Sequence, residues 1–220
     1  MKHKQAGFTL VEIAIVLVII GLLMGVFLKG QELIVNAQVR NAIDQGEAVT
    51  AAVYAFQDRF RAIPGDYAQA AANIPNAKSC VAAGCGNGLI DENDERGLVW
   101  QQLAQAGFIS GSYDGVATGS GWTCSQNTCP PNTFGGTMLL DTGSEAQGTA
   151  VVRAELYSGQ NIPITVLAEI DRKIDDGLPN TGSFQVSVTH TACATGAAAT
   201  DQYNIAATPD AVCGGVYRNF

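Results

Sequence analysis

Apolar residues fill the chain from Phe8 to Leu28, and Glu12 is the single charge among those 21 residues. As a helix, a run of that length crosses a hydrocarbon core of roughly 30 Å. No proline follows between Lys29 and Arg61, and apolar residues recur at Ile34, Ala37, Ile43, Val49, Val53, Phe56 and Phe60. Spacings of three and four dominate the later part of that series and mark one helical stripe. Gln31, Glu32, Arg40, Asp44, Glu47 and Asp58 fill the gaps, and Pro64-Gly65-Asp66 ends the segment. The pattern predicts one continuous helix over about 8–60, about 80 Å long at about 1.5 Å per residue. Such a helix is too long to stand free; it suits a stalk with one half in a membrane and the other packed on a head.

Past Pro64 the periodicity breaks into short pieces. Residues 64–97 combine prolines, glycines and an Asx-rich loop. Gly97 to Gly107 reads as a short helix with Val99, Trp100, Leu103 and Ala104 on one face and Gly107 placed as its cap. Residues 109–136 read as loop. Short apolar runs bounded by turn residues, Thr137–Leu140 and Ala150–Leu156, read as strands. Val166, Leu167, Ile170 and Ile174 recur at helical spacing before Gly177-Leu178-Pro179 stops them. Ser183–His190 alternates, with Phe184, Val186 and Val188 on one face, and is expected as a strand. The tail from Thr191 reads as loop with a final short strand. No internal repeat and no low-complexity linker separates two soluble domains.

Composition changes the picture in two respects. Hydrophobic residues make up 47% and charged residues 15%, which excludes a disordered chain. Net charge is −8, and loss of Lys2 and Lys4 would make it −8 − 2 = −10. An acidic chain lacks the phosphate-neutralising surface of a nucleic-acid binder, so no nucleic acid is expected for the isolated subunit. Six cysteines, Cys80, Cys85, Cys124, Cys129, Cys193 and Cys213, all lie outside the apolar run. An even set behind an export signal reads as disulfides in an oxidising compartment, with 15 pairings possible for six cysteines. The local set Cys80–Cys85, Cys124–Cys129 and Cys193–Cys213 is favoured, because each pair closes a loop rich in turn formers. A zinc site is disfavoured: no CxxC is present, and His190 is the only histidine beyond His3.

The join between the basic Lys2-His3-Lys4 and the apolar run reads Gly7-Phe8-Thr9-Leu10-Val11-Glu12. It differs from a secretory signal: the basic part is short, and no small-residue cleavage site follows the apolar core. A carboxylate inside a spanning segment is costly, about 2.5–3.5 kcal/mol at a helix centre on insertion scales. These residues resemble the processing site of type IV prepilins and pseudopilins. The resemblance implies cleavage between Gly7 and Phe8 by a prepilin peptidase and N-methylation of Phe8. It also implies an assembly role for Glu12, which would pair with the N-terminal amine of a neighbouring subunit. Gly21 and Gly25 form a GxxxG, read either as a helix-packing contact, as chance in a Gly-rich chain, or as the place where pilin helices partly unwind on assembly. Many pilins carry a proline near the outer end of the span; Lys29 lies there instead, which argues against a proline kink. Ile63-Pro64-Gly65-Asp66, Trp100–Ala104 and Ile170–Gly182 look like patterns recurring in bacterial prepilin-type proteins, extending the resemblance into the head.

Three further clusters carry possible chemistry. Asn87, Asp91 and Asp94 lie in an acidic loop and give a weak calcium reading, beside that of a solvated loop ahead of a helix. A complete EF-hand is excluded, because Ala83 and Cys85 would occupy its first two ligand positions. Some pseudopilin heads bind calcium in a loop. Asp171, Asp175 and Asp176, next to Arg172 and Lys173, read as an exposed helix end with local ion pairs. His190 reads as an exposed strand residue without a nucleophile partner. No phosphate loop, GxSxG or HExxH occurs, so no enzyme and no cofactor is expected.

The expected fold is α+β, the pilin fold: a long N-terminal helix over about 8–60, its outer half packed on a disulfide-stapled head with an antiparallel sheet. Residues 1–7 form a leader, 8–28 the transmembrane or filament-core half, 29–62 the amphipathic half, and 63–220 the head. The expected function is a structural subunit of a type IV pilus-like filament; the alternatives are a pseudopilin of a type II secretion system or a membrane-anchored periplasmic binding module. Expected partners are further copies, minor pilins, prepilin peptidase and, before assembly, the bacterial inner membrane. The head would face outward by the positive-inside rule and later reach the cell surface.

Overall fold

A computed structural model describes residues 9–81, 83–117, 124–147 and 152–218. Gly7 and Phe8 therefore lie outside the described residues. The chain forms two compact units, the first ending at Gln38 and the second running from Val39. Helix α1, Leu10–Phe60, contributes residues to both.

Over residues 10–28 α1 is apolar apart from Glu12, and every residue is exposed: Leu10 is 91% exposed and Val26 71%. In the second unit the same helix turns amphipathic. Val39, Gly46, Val49, Ala52, Val53 and Phe56 are buried, at the three-, four- and seven-residue spacings that keep one face inward. Arg61 adopts the left-handed conformation (φ 54°) that ends the helix ahead of Pro64.

A short helix α2, Ala70–Asn73, leads to α3, Asn93–Gln105. The expected start at Gly97 is corrected: the helix begins a turn earlier. Glu92 and Glu95 form a reciprocal capping box, and Asp94 and Glu95 place negative charge at the helix N-terminus. Gly97 lies in the interior, where its missing side chain admits the Val116 carbonyl; an added Cβ would sit 1.9 Å from that oxygen. The C-terminus closes as a Schellman motif: Gly107 (φ 81°) donates to the Ala104 carbonyl and Phe108 to that of Leu103.

The strands are β1 (Leu139–Gly143), β2 (Arg153–Tyr157), β3 (Ile162–Pro163), β4 (Phe184–Val186), β5 (Val212–Cys213) and β6 (Gly215–Tyr217). Helix α4, Ile164–Ile174, follows β3 directly. Four strands form an antiparallel sheet in the order β1-β2-β6-β4, with β3 and β5 paired separately. The last strand in sequence thus lies inside the sheet, pairing Tyr217 with both Leu156 and Phe184.

The expected strand Ser183–His190 is corrected. It stops at Val186, because the Ser187 hydroxyl accepts from the Thr189 N–H and starts a 3-10 helix, Val188–Cys193. A side-chain bond of this kind offers the backbone an alternative to the ladder.

Trp100, Tyr157, Phe56, Phe184 and Leu103 are the bulk of the core, each with essentially no exposed surface. Burying a large apolar side chain contributes about 1.5–3 kcal/mol. The Tyr217 ring packs edge-on to Phe184 at 4.7 Å and rests on Gly46 of α1, where an added Cβ would lie 2.7 Å from the ring. Disulfides join Cys80 to Cys85, Cys124 to Cys129 and Cys193 to Cys213. The last ties the 3-10 helix to β5.

Candidate functional site

The start of α1 is built by a reciprocal hydrogen-bonded pair. The Thr9 N–H and hydroxyl both donate to Glu12 Oε2 at 2.8 Å, and the Glu12 N–H donates to Thr9 Oγ1 at 3.2 Å. Thr9-Leu10-Val11-Glu12 is therefore a capping box, with Thr9 as N-cap and Glu12 three residues in. It answers a problem left open by composition, namely what satisfies a carboxylate at the edge of an apolar run. Within one subunit Thr9 supplies two donors, and the helix N-terminus itself favours negative charge. The S/T-x-x-E spacing was available in the sequence as a signal for Thr9.

Gly21 and Gly25 lie on the same exposed helix with nothing within 4 Å of an added Cβ, so both present open backbone. Lys29, just beyond the apolar run, pairs with Glu32 at 2.7 Å on the same helix. By length and composition, α1 is the one helix among the described residues suited to cross a membrane.

The acidic loop does not gather Asn87, Asp91 and Asp94 as converging oxygens. Asn87 turns its amide nitrogen toward Asp91 Oδ1 at 3.4 Å, while its oxygen accepts the Leu89 N–H at 2.7 Å. Asp94 is exposed in the first turn of α3. The buried carboxylate here is Glu95, whose Oε2 accepts the N–H groups of Asp91 (2.9 Å) and Glu92 (3.0 Å). Burial pushes its pKa upward, and the nearby charges of Asp66 and Asp91 push the same way.

The Asp171 reading is corrected. Asp171 is wholly buried, accepting from the Tyr203 hydroxyl at 2.8 Å and the Gly177 N–H at 3.3 Å. Arg172 and Lys173 instead turn to Glu169. Asp175 caps the start of β4 by accepting from Ser183 and Phe184, and Asp176 accepts from Leu178 and Thr181. Burial raises Asp171 to about 7, with the charges of Asp176 and Asp175 adding to the shift.

His190 is also corrected: it lies in the 3-10 helix and is half-buried. Its ring stacks on Tyr157 at 6.4 Å, and its Nδ1 lies 2.9 Å from the Thr189 hydroxyl. Burial lowers its pKa.

Residues 2–28 match the family described as the prokaryotic N-terminal methylation motif. They carry the prepilin leader of type IV pilins and pseudopilins. The match covers the leader and the apolar half of α1, including Gly7, Phe8, Glu12, Gly21 and Gly25. No curated protein and no solved structure matches the chain. Over these residues the motif supports a precursor of the type IV pilin or pseudopilin type, and with it a structural subunit. Together with the apolar helix it is consistent with membrane anchoring followed by surface assembly.

Proposed function

We propose that the chain is a structural subunit of a type IV pilus-like filament. In this reading prepilin peptidase cuts between Gly7 and Phe8, and Phe8 is N-methylated. The leader match over residues 2–28, joined to an apolar helix exposed on every side, is the observation that carries the reading. An exposed apolar helix has two favourable environments, lipid and other apolar helices. Held first in the inner membrane with residues 63–220 outside the cytoplasm, the subunit would exchange lipid for neighbouring copies and related minor subunits. Glu12 would then exchange its Thr9 donors for the amine of Phe8 on a neighbour. The pairing suits a carboxylate in apolar surroundings, where an unpaired charge is the costly state.

Mass spectrometry of filaments sheared from cells tests this. A mature chain beginning at N-methylated Phe8, abundant in the sheared fraction, is the expected result. The same processed chain confined to the cell envelope would point to a pseudopilin of a type II secretion system. Retention of Met1 would point to a plain membrane anchor and overturn the reading.

A further inference from the structure

The disulfide between Cys80 and Cys85 lies against one oxygen of a buried carboxylate. Glu95 Oε1 is 3.7 Å from Cys80 Sγ, and Glu95 is wholly buried. A disulfide sulfur carries no proton, so this oxygen receives no hydrogen bond from it. The other oxygen, Oε2, is occupied by the Asp91 and Glu92 N–H groups. The two sulfurs and a Glu95 oxygen all lie within 4.8 Å of one another. In the reduced chain the Cys80 thiol regains a proton, and Glu95 Oε1 is the oxygen beside it.

We propose that Glu95 is the proton acceptor that closes the Cys80–Cys85 disulfide, and the proton donor when it opens. Exposure sets the order of events. Cys80 is 3% exposed and Cys85 is half-buried, so an external disulfide reaches Cys85 first. Cys85 loses its proton to solvent, and its thiolate attacks one sulfur of the oxidant RS–SR. A mixed disulfide forms and RS⁻ leaves. Cys80 then passes its proton to Glu95 Oε1, and its thiolate attacks Cys85 Sγ. The bond to the oxidant breaks, a second RS⁻ leaves and is protonated by solvent, and Glu95 releases its proton. Two electrons move from the two cysteines to the oxidant. In the opening direction Glu95 takes a proton from solvent and RS⁻ attacks Cys85 Sγ; the bond between the two sulfurs breaks, and Cys80 leaves as a thiol with the Glu95 proton.

The surroundings make a local acceptor useful. Thiolates are the reactive form, and a buried thiol among negative charges resists ionising. Asp66 holds the loop in place by accepting the Gly86 and Gly88 N–H groups, and it adds a second negative charge. Asp91 adds a third. Arg96 offers no relief, since its guanidinium is engaged by Asp141, the Asn93 side chain and the Asp91 carbonyl. The upward shift of Glu95 brings its proton affinity toward that of a thiol, which favours transfer between them.

The test follows reoxidation of the full reduced chain in detergent micelles by oxidised glutathione at pH 7. Acid quenching, alkylation and peptide mapping read each pair separately. Glu95→Gln keeps an oxygen for the capping box but accepts no proton. It should slow closure of Cys80–Cys85 from the mixed disulfide by about a hundredfold, with Glu95→Asp intermediate. The gap should narrow as the pH rises past about 8.5, the ordinary thiol range. Closure of Cys124–Cys129 and Cys193–Cys213 should be unchanged, and in the unmutated chain the glutathione adduct should sit on Cys85. Equal closure rates, an adduct on Cys80, or all three pairs slowed alike would each overturn the proposal.

Discussion

The Tyr203 hydroxyl donates to Asp171 Oδ2 at 2.8 Å, fastening the segment before β5 to the end of α4. Asp171 is raised to about 7 by burial, with Asp176 and Asp175 adding to the shift. The folded pKa is above the unfolded value, so the fold binds the proton more tightly than the unfolded chain does. Its contribution is complete below about pH 4 and is lost as the pH rises through about 7. Thermal unfolding between pH 5 and 8 should therefore show stability falling with pH by roughly 1–4 kcal/mol. Asp171→Asn should flatten that slope. An unchanged slope in the variant would remove Asp171 as its source.

Arg218 Nε lies 3.0 Å from Glu155 Oε1, with the two residues 4% and 0% exposed. Glu155 Oε2 also accepts the Glu145 N–H at 2.7 Å. Arg218→Met leaves a buried carboxylate without its ion-pair partner and should cost roughly 3–5 kcal/mol. Adding Glu155→Gln keeps an acceptor for Glu145 and removes the charge, so most of the loss should return. Urea denaturation of the single and double variants measures the cycle, and additive losses would mean that the pair is not coupled.

Gly97→Ala separates helix propensity from packing. In an open helix the change would stabilise by about 1 kcal/mol. Here the new Cβ would meet the Val116 carbonyl at 1.9 Å, and relieving such overlap costs roughly 1–3 kcal/mol. A net loss of stability is expected. A gain would show that the segment around Val116 gives way freely.

Thr9 and Glu12 allow the helix cap to be separated from the charge. Glu12→Gln preserves a capping box, whereas Glu12→Ala removes it. If assembly depends on charge, both variants should be processed and both should fail to enter filaments. Filament yield by shearing measures this, and normal yield from Glu12→Gln would assign Glu12 to capping alone. Thr9→Ala should weaken the helix start by about 1 kcal/mol, seen as faster amide exchange in its first turn.

Much of this chain was legible from periodicity. The run after Phe8 and the stripe through Val49, Val53 and Phe56 placed α1 within two residues of its observed bounds, because both are local in sequence. Residues Val166 to Ile174 marked α4 in the same way. The misreadings arose where a short-range bond or a distant partner decided the outcome. Ser187 diverted a strand into a 3-10 helix, and the Glu92–Glu95 box drew an acidic loop into α3.

By itself, then, the sequence determined the leader motif, the apolar half of α1, the amphipathic half and an α+β class, since each rests on residues a few positions apart. Only the tertiary structure decided which charges are buried. Asp171 meets Tyr203, Glu155 meets Arg218, and Glu95 meets Cys80 across 32, 63 and 15 positions. Such pairs have no periodic signature. Their energies arise from desolvation, which depends on what covers a side chain and not on its neighbours in the chain.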